Sequence, residues 1–278
     1  MRTGEALDKA TTRLEAAGCE APRVDAEFLV SHVLGVNRSA LLAAGPSELS
    51  PHDVSELERL VARRERREPL AYVLGEWGFR RLTLAVDPRV LVPRPETEVV
   101  VERCLDLISR AEAPRVVDVG TGSGAIALAI ADEHPGARVT GLDASPEALA
   151  VARENARRSD LAVDLLEWDL FSGLPAGPWD LVVSNPPYVR PDEITGLEPE
   201  VRQWEPRQAL VGEGATEAVA GAARDVLRPG GALVLEVADG DAGRIGELLR
   251  SLGYDTVTVT KDLAGCNRVV EGVTTSVD

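Results

Sequence analysis

Cysteine is scarce in this 278-residue chain, and Cys19, Cys104 and Cys266 lie far apart. An odd number with no Cys-x-x-Cys spacing offers neither a disulfide framework nor a thiolate zinc site, and fits a reducing compartment. Histidine is equally scarce. His32, His52 and His134 fall in separate helical patterns and read as ordinary helix residues, so no metal site is expected. No apolar run reaches the roughly 20 residues of a membrane span. The segment Met1–Glu5 is polar and lacks the apolar core of a secretory signal, so a cytoplasmic location with no membrane partner is expected. Basic charge is also in deficit, with a formal net charge of −16. Residues 1–75 hold 10 basic and 12 acidic side chains, a net of −2, whereas residues 76–278 hold 20 and 34, a net of −14. The acidic larger part has no general attraction for phosphate backbones, so direct DNA binding is not expected.

What is present is enough for a sizeable core: 44% of the residues are hydrophobic, and the length suits one large or two small domains. Residues 1–75 show only helical periodicity. Leu7, Ala10, Leu14 and Ala17 form one apolar stripe, ended by Gly18. Ala26, Leu29, Val30, Val33 and Leu34 form a second, ended by Gly35. Ser50-Pro51 opens a third helix through Leu57, Leu60 and Val61. Its end, Arg63-Arg64-Glu65-Arg66-Arg67, reads as a solvated face, with a contact to RNA or a partner protein as the alternative. Alternation from Trp77 to Val92 then predicts a β-hairpin linking this bundle to a second domain. Arg94, stiffened between Pro93 and Pro95 and followed by Glu96, is expected to wall a pocket for substrate.

From residue 113 strands and helices alternate, as in a doubly wound α/β sheet. The spacing predicts strands at 116–119, 138–142, 163–168, 179–184, 232–237, 254–260 and 267–272. The first runs into Asp118-Val119-Gly120-Thr121-Gly122-Ser123-Gly124, and the second ends at Asp143. A glycine turn with an acidic residue about 20 positions on fits an adenosine-bearing cofactor without saying which. Three features favour S-adenosylmethionine over NAD. Asp118 is placed to meet the cofactor's ammonium, directly or through water. Glu167-Trp168-Asp169-Leu170 brings an acidic acceptor to the end of the third strand, where an adenine amino group would lie. Asn185-Pro186-Pro187-Tyr188 closes the fourth strand.

That last tetrapeptide carries the chemistry. Asn followed by two prolines is also a common turn former. At a strand end beside a glycine loop it can do more. An amide nitrogen is a poor nucleophile because its lone pair is delocalised. The Asn185 side-chain carbonyl and the Pro186 backbone carbonyl can accept both of its hydrogens and aim it at an electrophilic carbon. The prolines hold these acceptors in place, and Tyr188 offers a flat face for a planar group. Orientation of this kind is worth roughly 7–11 kcal/mol in favourable cases.

With these residues, the chain resembles the bacterial glutamine methyltransferases of peptide chain release factors over nearly its whole length. The resemblance is carried by Glu68–Gly75, Val92–Glu98, Asp118–Leu128, Ser184–Val189, Glu205-Pro206-x-x-Ala209-Leu210 and Asp262–Gly265. It implies a class I, Rossmann-like, seven-stranded methyltransferase domain at 96–278. Before it would come an all-helical substrate-docking domain at 1–75 and a hairpin link at 76–95. It implies methyl transfer from S-adenosylmethionine, giving S-adenosylhomocysteine, to the glutamine of the Gly-Gly-Gln loop of class I release factors. It assigns the methyl donor to Gly120, Thr121, Gly122, Ser123, Gly124, Asp143, Asp169, Leu170 and Asn185, with Leu170 standing where some relatives place a Trp against adenine. It assigns the glutamine to Asn185, Pro186, Pro187 and Tyr188, of which Asn185, Pro186 and Tyr188 are the catalytic set. Gly212–Ala218 and Cys266-Asn267 depart from the family pattern and are expected to lie away from the transfer motifs. The same tetrapeptide would serve glutamine methylation of a ribosomal protein, or adenine amino methylation in DNA. The Glu200–Pro206 segment looks more like the release-factor branch, and the acidic charge argues against DNA. A catalytically silent cofactor-binding module is the reading from another class, and the intact Asn185 argues against it.

Overall fold

The computed structural model describes residues 1–43 and 47–275, which divide into two compact units. One is Met1–Glu76 together with Glu198–Trp204, and the other is Trp77–Leu197 with Glu205–Asp278. Among the described residues, no helix is long and apolar enough to cross a membrane.

The smaller unit is helical. Its long helices are Thr3–Ala16, Pro22–Leu34 and Pro51–Glu65, where the apolar spacing predicts them. Gly35 ends the second in the left-handed region at φ 64°, and Ser50 and Asp53 form a reciprocal cap on the third. Ala6, Leu14, Leu29 and Leu60 meet in its core. Two short helices, Arg38–Ala43 and Leu70–Leu74, had no periodicity long enough to show in the sequence.

The basic run is not a solvated face throughout: Arg66 is exposed, but Arg63, Arg64 and Arg67 are drawn into ion pairs. Arg64 is buried and donates to Asp25 (2.8 Å) and to Glu200 (2.7 Å). Arg67 donates to both Glu200 oxygens at 2.7 Å. Arg63 pairs with Glu68 and reaches the backbone carbonyls of Tyr72 and Val73. Burial works to raise the Glu200 carboxyl, but the Arg67 and Arg64 guanidiniums hold it below the usual carboxylate range. These pairs hold Glu198–Trp204 to the helical unit, although that segment comes more than 120 residues later in sequence.

The larger unit opens with a hairpin, β1 (Glu76–Phe79) and β2 (Leu82–Ala85). The alternation through Val92 overstates it. Asp87 accepts the Arg89 N–H and its carbonyl accepts that of Val90, which turns the chain out of the ladder. The main sheet contains β3 (Arg115–Val119), β4 (Arg138–Asp143), β5 (Asp164–Glu167), β6 (Trp179–Ser184), β7 (Leu227–Glu236), β8 (Tyr254–Lys261) and β9 (Asn267–Thr274). Their order across the sheet is β5-β4-β3-β6-β7-β9-β8. Pairing is parallel from β5 through β7, and β9 is antiparallel to both neighbours. β7 starts earlier than its apolar run suggests, because Leu227 already pairs with Trp179 across a register shift.

The interior of the sheet is as apolar as a strand covered on both faces must be: Val116, Val117, Leu181, Val182, Val183, Leu233 and Leu235 are all inaccessible to solvent. The strand order reverses between β3 and β6. In such sheets ligands bind at the carboxyl ends of the strands at that point. Asn155, on the helix Pro146–Ser159, ties three segments together there. Its amide accepts the Ala85 N–H at 2.7 Å and donates to the carbonyls of Ala85 and Ser123.

Replacing Arg64 by Met leaves buried Asp25, and half-buried Glu200, without that cation. This should destabilise the helical unit by about 3–5 kcal/mol, as loss of one partner of a buried pair does. Denaturant unfolding followed by circular dichroism measures it. An unchanged midpoint would show that the cluster contributes little.

Candidate active site

Three strand ends build the site. β3 runs into the glycine turn, where the N–H groups of Gly120 and Thr121 both donate to the Leu142 carbonyl of β4 at 2.8 Å. β6 ends at Ser184, whose hydroxyl donates to the Val119 carbonyl at 2.7 Å and locks the two strand ends side by side. Gly120 has φ 75°. A Cβ placed on it would lie 4.0 Å from the Asn185 backbone carbonyl oxygen, so the glycine turn and the tetrapeptide are neighbours.

A cavity of about 250 Å³ lies at these ends. Of the predicted cofactor residues, Gly120, Thr121, Gly122, Ser123, Asp143, Asp169, Leu170 and Asn185 line it. Arg94 and Pro187 of the predicted substrate set line it too. Gly124, Pro186, Tyr188 and Glu96 stand outside its lining. Gly124 instead caps the helix Ala125–Glu133 at φ 83°. Burial, with the nearby Glu236 charge adding, pushes the Tyr188 phenol up to about 12.

Asp143 has the geometry of a diol acceptor. One carboxylate oxygen accepts the Gly122 N–H at 2.8 Å and the other the Ser145 N–H at 2.9 Å. Each oxygen keeps lone-pair capacity, which suits the vicinal hydroxyls of a ribose. Burial raises its carboxyl, and the two backbone N–H groups oppose that. Asp169 fixes the turn below by accepting the Phe171 N–H at 3.0 Å, and exposed Phe171 adds an apolar wall. These residues fit S-adenosylmethionine.

Two expectations need correction. Asp118 does not face the cavity. It is inaccessible to solvent, and one oxygen accepts from the Thr121 hydroxyl (2.7 Å) and the Ala127 N–H (3.2 Å). Its other oxygen has no hydrogen-bond partner among the described residues. Asp118 therefore shapes the glycine turn from inside. Burial pushes its carboxyl up to about 7, against those two hydrogen bonds and with a small push from Asp143. The second correction concerns the segments that depart from the family pattern. Gly212 and Ala215 line the cavity. A Cβ on Gly212 would sit 2.3 Å from Pro187 Cγ and 3.0 Å from the Pro187 carbonyl oxygen. Arg268, beside Cys266-Asn267, interacts electrostatically with Tyr188 and donates to Asp262 at 3.1 Å.

The structure also explains why two distant motifs go together. Arg94 donates to both oxygens of buried Glu205 at 2.7 Å. Burial raises the Glu205 carboxyl and Arg94 opposes this. The Pro-Arg-Pro and Glu-Pro segments thus form one wall. Asn155 was not singled out in the sequence, because a lone Asn carries no signal until its neighbours are known, and Thr97 and Gly212 entered only as members of longer segments with no role of their own.

Comparison with known proteins places this arrangement. Residues 5–75 match the profile of the PrmC N-terminal domain, and residues 98–198 match that of the methyltransferase small domain. The release factor glutamine methyltransferase of Deinococcus radiodurans is 44% identical over 275 residues, covering 97% of this chain and 98% of that relative. Its counterpart in Caulobacter vibrioides is 41% identical, with 97% and 95% covered. Among solved structures, a methyltransferase from Pyrococcus furiosus aligns with TM-score 0.51 at 22% identity, covering 70% of this chain and 90% of its own. A T. thermophilus 16S rRNA methyltransferase in complex with AdoMet and guanosine aligns with TM-score 0.54 at 18% identity, covering 72% of this chain and 49% of its own. These structural likenesses bear on the fold.

Substituting Gly212 by Ala forces Pro187 to move and should lower turnover by about tenfold or more, since small displacements in a positioned site are costly. Far-ultraviolet circular dichroism should remain that of the parent. Parental turnover in this variant would show that Pro187 yields without consequence. Asp118 supplies a pH test. Its folded value lies above its unfolded one, so its contribution to stability is full below the ordinary carboxylate range and is lost as pH rises through about 7. The melting temperature of Asp118→Asn relative to the parent should therefore climb between about pH 4 and pH 8. A difference independent of pH would contradict the buried, raised carboxyl.

Proposed function

The chain belongs to the release factor glutamine methyltransferase family, and from that membership we propose how its own residues place a methyl group on the side-chain amide of a release-factor glutamine. Bound S-adenosylmethionine supplies an electrophilic methyl carbon on a sulfonium centre. Asp143 would hold the ribose hydroxyls of this cofactor, the backbone from Gly120 to Ser123 would receive it, and Asp169 and Leu170 would hold its adenine. The reacting nitrogen belongs to the glutamine of a Gly-Gly-Gln motif in a class I release factor. Asn185 Oδ1 and the Pro186 carbonyl each accept one of its two N–H hydrogens, which orients its lone pair. Tyr188 lies against the planar amide, and Arg94 and Glu96 shape the approach. No general base is required, because the nitrogen sheds its extra proton readily after transfer. The neighbouring glycines of the substrate matter because only a chain without side chains can run so close to a packed wall.

The observation that supports this reading is the meeting of the glycine turn and Asn185 at one cavity, with Asp143 on the same wall. A glutamine side chain offers few contacts, so recognition of the whole factor rests on surface beyond the clamp. We assign that docking to the helical unit.

Asn185→Ala should leave cofactor affinity within a few-fold and lower methyl transfer by about 100-fold or more, the scale of losing one preorganised polar group. Calorimetry and transfer of labelled methyl to intact release factor measure the two quantities. In the same assay a short Gly-Gly-Gln peptide should be a poor substrate. Near-parental turnover by Asn185→Ala would remove Asn185 from the clamp, and efficient use of the peptide would remove the need for docking.

A further inference from the structure

The side-chain amide of Asn is nearly symmetric in shape. A half-turn about its last bond exchanges the oxygen, an acceptor, with the NH2 group, a donor. The clamp formed by Asn185 and Pro186 works in only one of these orientations. With Nδ2 toward the glutamine, donor would face donor, and the target amide would be repelled. Something in the protein must therefore choose the orientation of Asn185.

The surroundings of Asn185 contain such a device. One residue beyond the paired Ser184 and Leu235, at the adjacent ends of β6 and β7, stand Asn185 and Glu236. Glu236 is buried at 1% exposure and Thr97 at 4%. The Thr97 hydroxyl donates to Glu236 Oε2 at 2.7 Å. Asn185 Nδ2 donates to the same Thr97 oxygen at 3.4 Å. A hydroxyl has one hydrogen to give. Once that hydrogen is committed to Glu236 in its ionised form, which can only accept, Thr97 has nothing but lone pairs to offer Asn185. Only the NH2 end of Asn185 can use them. Its Oδ1 is then left for the cavity, whose lining includes both Thr97 and Asn185.

Building on the clamp reading, we propose that Thr97 and Glu236 are positioning residues that set the donor–acceptor sense of Asn185, so that its oxygen and not its nitrogen meets the substrate amide.

The charge on Glu236 matters to this chain of bonds. Burial pushes its carboxyl up to about 7, opposed by the Thr97 hydrogen bond and then Arg268, with Glu96 adding to the rise and Arg94 opposing it. Tyr188, after β6, also faces this charge. Arg268 and Arg94 donate to other carboxylates, Asp262 and Glu205, so neither is committed to Glu236. A buried carboxylate that costs this much to keep has a role when the oxygen that accepts from Thr97 dictates the sense of the next two groups. Replacing Glu236 by a neutral group would let Thr97 accept from position 236 and turn its own hydrogen toward Asn185, and the choice of orientation would be lost.

The test uses the full chain, intact release factor and labelled S-adenosylmethionine under single-turnover conditions. Thr97→Val keeps the shape and removes the hydroxyl. It should slow methyl transfer by about tenfold or more, the scale of leaving a polar contact unmade, with cofactor affinity within about twofold of the parent. Thr97→Ser, which restores the hydroxyl, should recover transfer to within about threefold of the parent. In the Asn185→Ala background, Thr97→Val should add almost nothing, because the group it orients is gone. A merely structural role would lower the rate equally in both backgrounds. Glu236→Gln provides a second variant of the same shape should Thr97→Val not fold, and it should slow transfer by about fivefold or more. Full activity in Thr97→Val or Glu236→Gln, a Ser variant as slow as the Val variant, or an undiminished loss on top of Asn185→Ala would each overturn the proposal. If Asn185→Ala itself turns over normally, the clamp reading fails and this inference fails with it. If Asn185→Ala is inactive and Thr97→Val is not, only the inference fails.

Discussion

The parallel pairing of β3 with β6 is the constraint on which the rest of the site depends. Helices cover both faces of the sheet, so the strands are apolar and cannot slip without turning their packing inside out. The pairs from Val116–Leu181 to Val119–Ser184 therefore fix where each strand stops. Ser184 seals the end by bonding to Val119. Past that seal the two segments diverge in opposite directions around the sheet, and the gap between them is the cavity. The glycine turn and Asn185 are adjacent because they are the first residues beyond one shared boundary.

Polar groups crowd this boundary at a cost. Asp118, Glu236 and Glu205 are all buried carboxyls whose surroundings raise them above the ordinary range. Each is tied to a neighbour that matters: Asp118 to the Thr121 hydroxyl, Glu236 to Thr97, and Glu205 to Arg94. A buried charge is weak evidence for stability, because desolvation offsets most of its attraction. Its value here is directional. Each carboxylate accepts from one or two defined donors and so fixes the sense of a turn, a hydroxyl or a guanidinium at the cavity wall. Rigidity of this kind suits a reaction that depends on alignment more than on acid–base exchange.

The same logic links segments that are remote in the chain. The connection after the Asn-Pro-Pro-Tyr turn contributes Glu198–Trp204 to the helical unit and re-enters the larger unit at Glu205. On one side of that excursion Glu200 is gripped by Arg64 and Arg67, and on the other Glu205 is gripped by Arg94. Gly212 then packs against Pro187. A single loop thus closes back on the turn from which it began, and its small residues are set by the proline it must clear.

The order and type of the main elements followed from sequence alone, because period and punctuation are local properties. The helical stripes of the first 75 residues, the alternating strands and helices beyond 113, the glycine turn and the Asn-Pro-Pro-Tyr turn were all legible before any contact was known. The proposed clamp, an amide held by fixed acceptors, likewise starts from residue types at one strand end. Direction and partnership were not. Asp118 reads as a cavity residue by its distance from Gly120, yet the strand's alternation turns it inward, where Thr121 and Ala127 claim it. The arginines at 63–67 read as solvated because nothing nearby in sequence neutralises all of them, whereas their principal acid, Glu200, lies more than 130 residues away. Thr97, Glu236 and Gly212 gain their meaning only when β6, β7 and the returning loop bring them against Asn185 and Pro187. A side chain's type is written in the sequence, but the partner that decides which way it faces is supplied by the packing of distant segments.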